Sequence, residues 1–343
     1  MTARPPPDSL LPWARSVMGA PEDSGTLQPV SGDASNRRYF RASLGTRHCI
    51  LVEAPPDTEK NPEFLAVRQL FEDAGVRVPG LYGADLERGF LLLEDLGDRL
   101  LLPALRAGGG DYHRRAFDIL LRLAAIDPAK ADLPPYDAAL LREESGRFGE
   151  WFAGALLGLD LAGDERSLLE DLSGALVESA LAQPRVVVHR DFHSRNLMLL
   201  ESDALAVIDF QDAVAGPLTY DLVSLLRDCY LRLPPAEVLD RARQYREQLL
   251  REDLRDVPGE DEFLRAFDWM GLQRHIKVLG TFARLYLRDG KDAYLADLPL
   301  VIDYTREITA KYAGEEPAFA EFRRWYDERL APLVGAQDWG GGR

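Results

Sequence analysis

The chain has 343 residues, enough for one large domain or two lobes with a sizeable core. Its 46% hydrophobic content and mean hydropathy of −0.22 read as a globular chain, and no apolar run approaches the roughly 20 residues a membrane span needs. Lys and Arg number 41 against 57 acidic residues, a net charge of −16, which argues against general nucleic-acid or anionic-membrane binding. The start, MTARPPPDSLLPWARS, has no apolar h-region, so no secretory signal is expected and a cytoplasmic enzyme is the default. Cys49 and Cys229 are too few and too isolated for a disulfide framework or a zinc site.

In chain order, LQPVSGDASNRRYFRASLGTRHCILVE (residues 27–53) reads as strand, Ser-Gly-Asp-Ala-Ser-Asn loop, strand, Leu-Gly turn and strand. Phe64, Val67, Leu70 and Phe71 then fall at helical spacing, and Gly75 ends that helix. A strand pair follows around GLYGAD and GFLLLEDLG, with Gly97 marking a hinge. Beyond residue 100, apolar residues recur at three- and four-residue spacing over 113–126, 139–158, 165–182, 217–232, 236–251, 261–288 and 303–312, which predicts helices. The interruption is 185–212, where two β-rich runs are expected to pair as a hairpin. The plan is therefore α+β and bilobal: a small β-rich lobe over 1–96, a hinge at about 94–98, and a large helical lobe over 97–343.

The two β-rich runs are VVVHRDFHSRNLMLL (186–200) and AVIDFQD (206–212). They place Asp191 after one apolar strand, Asn196 five residues on, and Asp209 at the end of the other. Phosphoryl transfer needs a carboxylate to orient an attacking hydroxyl and take its proton, hard oxygen ligands for Mg²⁺, and positioned donors for phosphate. An acid, an amide and an acid in this order meet that need. The bland alternative, strand-end carboxylates capping turns, does not account for all three.

HRDFHSRN looks like the catalytic loop of eukaryotic-type kinases, and IDFQD resembles their metal-binding Asp-Phe-Gly segment. The pattern is nearer to aminoglycoside phosphotransferases and choline kinase-like enzymes. SGDASNRRYFR, LVEAPP, GVRVPGLYGADLERGFLLLEDLGD, VHRDFHSRNLML, IDFQDAVAGPLTYDLVSLLRD and LQRHIKVLGTFARLYLRDGKDAYLADLP resemble bacterial anomeric N-acetylmuramate/N-acetylglucosamine kinases of cell-wall recycling. The likeness spans about residues 25–305.

The resemblance implies a protein-kinase-like fold, ATP and Mg²⁺ as cofactors, and a small amino-sugar acceptor; charge and the lack of a suitable segment argue against a nucleic-acid or membrane partner, and a monomer is expected. It makes Asp191 the catalytic base, Asn196 and Asp209 the metal ligands, and Asp221 the helical carboxylate that ties down the catalytic loop. Arg195, four residues after Asp191, becomes the candidate for steadying the transferred phosphate. His193 stands where protein kinases often carry a phosphate-contacting Lys, and His189 reads as a structural histidine bonded to backbone. The loop with Ser31, Gly32, Ser35 and Asn36 would cradle phosphates, and Glu94 and Leu96 would border the adenine.

One departure stands out. The third strand of such kinases carries a Lys for the α- and β-phosphates, paired with a helical Glu; here its slot holds Glu53, and the nearest Lys is Lys60. Glu63 lies near the usual helix position. Arg37, Arg38 and Arg41 are the candidate substitutes, Arg38 first because an inward Phe40 would turn it inward too. Late in the chain, Arg274, Lys277, Arg284, Arg288 and Lys291 concentrate positive charge. They are either a solvated helix face or, for Arg274 and Lys277, a contact to the lactyl carboxylate of N-acetylmuramate. An aminoglycoside or amino-alcohol kinase, favoured by the acidic balance, and a nucleotide-binding pseudokinase, favoured by Glu53, remain open alternatives.

Overall fold

In a computed structural model, residues 4–30, 36–108, 110–254 and 256–340 are described. The N-terminal elements run α1 (Leu10–Met18), β1 (Gln28–Val30), β2 (Arg38–Leu44), β3 (Arg47–Glu53), α2 (Asn61–Asp73), β4 (Leu81–Asp85) and β5 (Phe90–Glu94). Then come α3 (Leu101–Arg106), α4 (Tyr112–Ala125), α5 (Ala138–Arg147), a π-helical stretch (Phe148–Leu156) and α6 (Gly163–Leu181). Four short strands follow, β6 (Arg185–Val188), β7 (Leu197–Leu199), β8 (Leu205–Val207) and β9 (Val214–Pro217). The chain ends with α7 (Tyr220–Leu226), α8 (Pro235–Arg251), α9 (Glu260–Asp289), a 3₁₀ turn (Asp292–Asp297), α10 (Leu298–Tyr312), α11 (Pro317–Trp325), a second π stretch (Tyr326–Leu330) and α12 (Ala331–Gly335).

Contacts divide the chain into two compact units: Met1–Pro103 with Arg195–Asp212, and Ala104–Ser194 with Ala213–Arg343. The first is built on an antiparallel five-stranded sheet in the order β1-β2-β3-β5-β4. Strand alternation sends Phe40, Ala42, Leu44, Leu51 and Leu92 to one face, where Leu10 and Ala14 of α1 cover them. The β7–β8 hairpin belongs to this unit. Its ends are bonded to the N-terminal chain, Leu199 N–H to Arg99 O (2.7 Å) and Val207 N–H to Arg77 O (2.8 Å). Phe210, just past β8, stacks on Phe64 of α2 and packs at a tilt against Phe71, with ring centroids 4.9 and 5.8 Å apart.

The two β-rich runs therefore meet only through the tail of the first, and the Val-Val-Val strand expected to pair with AVI does not. Residues 197–199, at the end of the first run, form a strand that turns back on 205–207. The Val-Val-Val strand β6 instead takes β9 as partner, Val188 opposite Val214. The sequence reading missed β9 because AVAGP is short and Gly/Pro-rich.

The second unit is organised on α9, 30 residues long, whose stretch from 267 to 280 is buried on all sides. It packs against α5, the π stretch, α6, α7, α8 and α10. No helix among the described residues is long and apolar enough to cross a membrane, and both cysteines are free and buried.

Close approach of α9 to the end of α5 depends on Gly280: a Cβ there would land on the Arg147 carbonyl and 2.6 Å from the Phe148 nitrogen, both rigid backbone. Gly280→Ala should therefore lower the urea-unfolding free energy by about 1–3 kcal/mol, overriding the better helix propensity of Ala. Gly174, inside α6 with open space around it, is the control. Gly174→Ala should stabilise by about 0.5–1 kcal/mol, and equal shifts in the two variants would remove the close-approach argument.

Candidate active site

The loop after β6 is held by buried carboxylates at either end of α7. Asp221 accepts the backbone N–H groups of His189 (2.6 Å) and Arg190 (3.0 Å). Asp228 accepts Ser194 N–H (3.0 Å), the Ser194 hydroxyl and Tyr230 N–H (3.0 Å). His189, fully buried, accepts the Asp191 N–H at Nδ1 (3.2 Å), the structural role expected of it. Arg190 sits at φ 78°, in the left-handed region that a non-glycine residue occupies only when its surroundings hold it there. Burial pushes the Asp221 carboxyl up to about 7, against the pull of the two N–H bonds.

Arg190 reaches Glu144 of α5, a fully buried carboxylate that also receives Lys277 (3.1 Å) and the Tyr136 hydroxyl. Lys277 in turn donates to the Tyr220 hydroxyl (3.0 Å). Arg274 and Lys277, at 3% and 8% exposure, are thus interior groups, and the solvated-face reading does not hold for them. It does hold for Arg288, which is exposed and pairs with Asp289.

Burial alone would raise the Asp191 carboxyl, but Lys277, His193, Arg190 and Arg274 together hold it well below the usual carboxylate range. The surrounding positive charge therefore favours the ionised form of the loop carboxylate. His193 is buried, its backbone N–H bonded to Asp191 O (2.9 Å) and its ring edge-on to Tyr230 at 5.2 Å. The sequence reading missed Glu144, Tyr136, Tyr220 and Asp228. Only Asp228 left a signal, in the acid after the α7 run LLRD.

In the first unit, Asn196 and Asp209 come together: Asn196 Nδ2 donates to Asp209 Oδ2 (3.3 Å), and Gln211 Nε2 to Asp209 Oδ1 (2.8 Å). Asp209 is also left-handed, at φ 63°. Gln211 Oε1 is buried with no hydrogen-bond partner. A carboxylate and two amide oxygens, one of them unsatisfied, fit Mg²⁺, which is held by one or two carboxylates while substrate phosphates and water complete its shell. Among the described residues no group of three His, Cys, Asp or Glu side chains could hold a metal. Arg195 belongs to this unit and is half-buried.

Arg38 lies directly across from Glu53 in the β2–β3 register and pairs with it. Its remaining donors reach the carbonyls of Arg4 (2.6 Å) and Pro5 (3.1 and 3.2 Å). The alternation argument was right that Phe40 is inward, but that interior is the one under α1. Tyr39, on the other face, is the strand residue that senses the charges of Arg37 and Asp209, and burial pushes its hydroxyl up to about 12. Arg37 is buried against Glu59 (3.1 Å) and the Phe64 ring. Glu63 is exposed, and Lys60 lies 3.8 Å from Asp212 at the surface.

At the hinge, Arg41 donates to Asp95 (2.6 and 2.9 Å), Asp98 (2.8 and 3.0 Å) and Gly97 O (3.3 Å), stapling the segment that contains Leu96 to β2. The Glu94 carboxylate takes Arg77 and the Gly80 N–H (3.0 Å). Asn36 is exposed, its backbone N–H on Glu59 (3.0 Å). Ser31, Gly32 and Ser35 lie outside the described residues.

A small antiparallel sheet unit, a helical unit and these loop carboxylates define a protein-kinase-like phosphotransferase. The Plasmodium vivax ethanolamine kinase structure has this fold (TM-score 0.61, 11% identity, 82% of each chain), as does choline kinase LicA from Streptococcus pneumoniae (0.57, 14%, 90% of this chain and 99% of that one). Residues 26–259 match the phosphotransferase enzyme family, and the chain belongs to it. It is similar to the N-acetylmuramate/N-acetylglucosamine kinases of Pseudomonas aeruginosa (42% identical, 89% of this chain and 90% of that one) and Neisseria meningitidis (39%, 95% of each).

Lys277→Met removes the cation that acts most strongly on Asp191 and leaves its burial in place. With Asp191 as the base expected from the sequence, only its ionised form would act, so a raised pKa should move the acid limb of the kcat/KM pH profile to higher pH than in the wild type. A fall in rate with an unmoved limb would show that Lys277 serves only to hold Glu144.

Proposed function

We propose that the chain transfers the γ-phosphoryl group of ATP to the anomeric hydroxyl of N-acetylmuramate, N-acetylglucosamine or both, giving the sugar 1-phosphate in peptidoglycan recycling. The observation that carries the reading is the charge at Asp191. Lys277 and Arg274 act on it from buried positions and Arg190 from a half-buried one, a setting hostile to the cationic acceptors of aminoglycoside and amino-alcohol kinases and suited to a neutral or anionic sugar. The relatives named for these two sugars, alike over about nine-tenths of the chain, support the same choice.

Asp191 orients the anomeric hydroxyl and takes its proton as the new sugar O–P bond forms and the bond from the γ-phosphorus to its bridging oxygen breaks, releasing ADP. A loose transition state asks little base strength of it, so its depressed pKa is no obstacle. Asn196 and Asp209, with Gln211 beside them, would hold Mg²⁺, which supplies neutralisation of phosphate charge. Arg195 steadies the transferred phosphate, the loop of Ser31, Gly32, Ser35 and Asn36 approaches the phosphates through backbone N–H groups, and the stapled segment from Glu94 to Leu96 borders the adenine.

The test is product formation by purified protein with ATP and Mg²⁺, offered N-acetylmuramate, N-acetylglucosamine, glucose, kanamycin and choline. Sugar 1-phosphate is expected from the first two, falling by about 10²–10⁴-fold in Asp191→Asn. Turnover confined to kanamycin or choline would remove the sugar assignment, and nucleotide binding without any turnover would make the chain a pseudokinase.

A further inference from the structure

Three residues in the buried stretch of α9 carry full charges: Asp268, Arg274 and Lys277. Asp268 is met by Arg227, by Lys311 (2.5 Å) and by the Tyr312 hydroxyl (2.7 Å). Lys277 is met by Glu144 and Tyr220. Arg274 is different: its Nη1 lies 3.2 Å from Cys229 Sγ, and among the described residues no carboxylate pairs with it. That thiol is neutral, since burial pushes its pKa up, and sulfur is a weak acceptor. A guanidinium with five N–H donors, 97% hidden and with no carboxylate bonded to it, only the charge of Asp191 acting on it through space, is a costly arrangement unless something else supplies a bonded anion.

Its position says where that anion would come from. Arg274 and Lys277 stand one turn apart on the same face of α9. Lys277 joins, through Glu144, to Arg190 immediately before Asp191. On the other flank, Cys229 follows Asp228, the carboxylate that holds Ser194, and precedes Tyr230, which packs on His193. Arg274 is therefore tied to both neighbours of the Asp191 loop, and it is one of the cations acting on Asp191 itself.

We propose that Arg274 receives a carboxylate on the acceptor, the lactyl group of N-acetylmuramate, and so sets the preference between the two sugars. This rests on the sugar-kinase reading above. The lactyl ether sits on the same pyranose ring as the anomeric hydroxyl, so one pocket can hold both. Two parallel N–H bonds from the guanidinium would match the carboxylate fork, whereas Lys277, already engaged by Glu144 and Tyr220, has no comparable capacity left. N-Acetylglucosamine, lacking the group, leaves the guanidinium to water.

The experiment measures kcat/KM for both sugars with wild type, Arg274→Gln and Arg274→Lys, and adds the methyl ester of N-acetylmuramate with wild type. The ratio of N-acetylmuramate to N-acetylglucosamine should fall by at least about 10-fold in Arg274→Gln. It should fall less in Arg274→Lys, and the ester should be used like N-acetylglucosamine. Taking the ratio within one preparation cancels any misfolded fraction, and the ester arm needs no variant. An unmoved ratio in both variants, or an ester used as well as the free acid, would overturn the assignment and leave the sugar-kinase reading standing. Turnover of neither sugar by the wild type would remove both.

Discussion

A loop that presents an ionised carboxylate at the end of a buried strand leaves its own backbone N–H groups out of any ladder, and these must be satisfied elsewhere. In this chain His189 and Arg190 give theirs to Asp221, and Ser194 gives its own to Asp228. The two acids bracket α7, so one short helix fixes both ends of the loop. The left-handed backbone at Arg190 is the visible consequence, because a residue there holds φ 78° only while its N–H is anchored. The direction and the charge of the Asp191 carboxylate depend on that anchorage.

Once the loop is fixed, electrostatics follow from what α5 and α9 bring to it. Glu144 faces Arg190, Lys277 and the Tyr136 hydroxyl, so one buried anion is shared by two cations, and both also act on Asp191. The net charge of the chain is −16, yet the surroundings of Asp191 are cationic. Long-range attraction therefore does not draw phosphate or an anionic acceptor toward this protein. Local, low-dielectric contacts inside the helical unit must do so.

Much of this could be read from residue order, and the failures are physically specific. HRDFHSRN and IDFQD singled out Asp191, Asn196 and Asp209 because acid, amide and acid stand close in order beside two apolar runs. Asp221 was legible only through the resemblance of TYDLVSLL to the helix that ties down the catalytic loop in such kinases. Strand partners were not, since VVV and AVI are equally apolar and only the intervening NLML, which pairs as β7, decides which strand each one meets. Glu144 was invisible: a single acid in an amphipathic helix looks solvated until the cations that bury it are placed beside it. The stripe of Arg274, Lys277, Arg284 and Arg288 misled in a similar way. On a helix buried all round over part of its length, period cannot separate an exposed face from a buried one.

The slot at Glu53 shows how a missing cation reorganises its neighbours. A buried carboxylate on a central strand needs a partner, and Arg38 stands directly across the β2–β3 register to provide it. The pair is locally neutral, and the Arg38 donors that remain end on the carbonyls of Arg4 and Pro5, which ties the N-terminal segment to the sheet. Arg38 is thereby committed to structure, on the α1 face, while Tyr39 and Arg37 occupy the face where the charge of Asp209 is felt. The slot that resembles the phosphate-binding Lys position of such kinases therefore carries an anion paired with Arg38 here. Under the proposed function, neutralising the phosphates passes to the metal pair of Asn196 and Asp209 and to Arg195, all carried by the 195–212 segment that packs with the same unit.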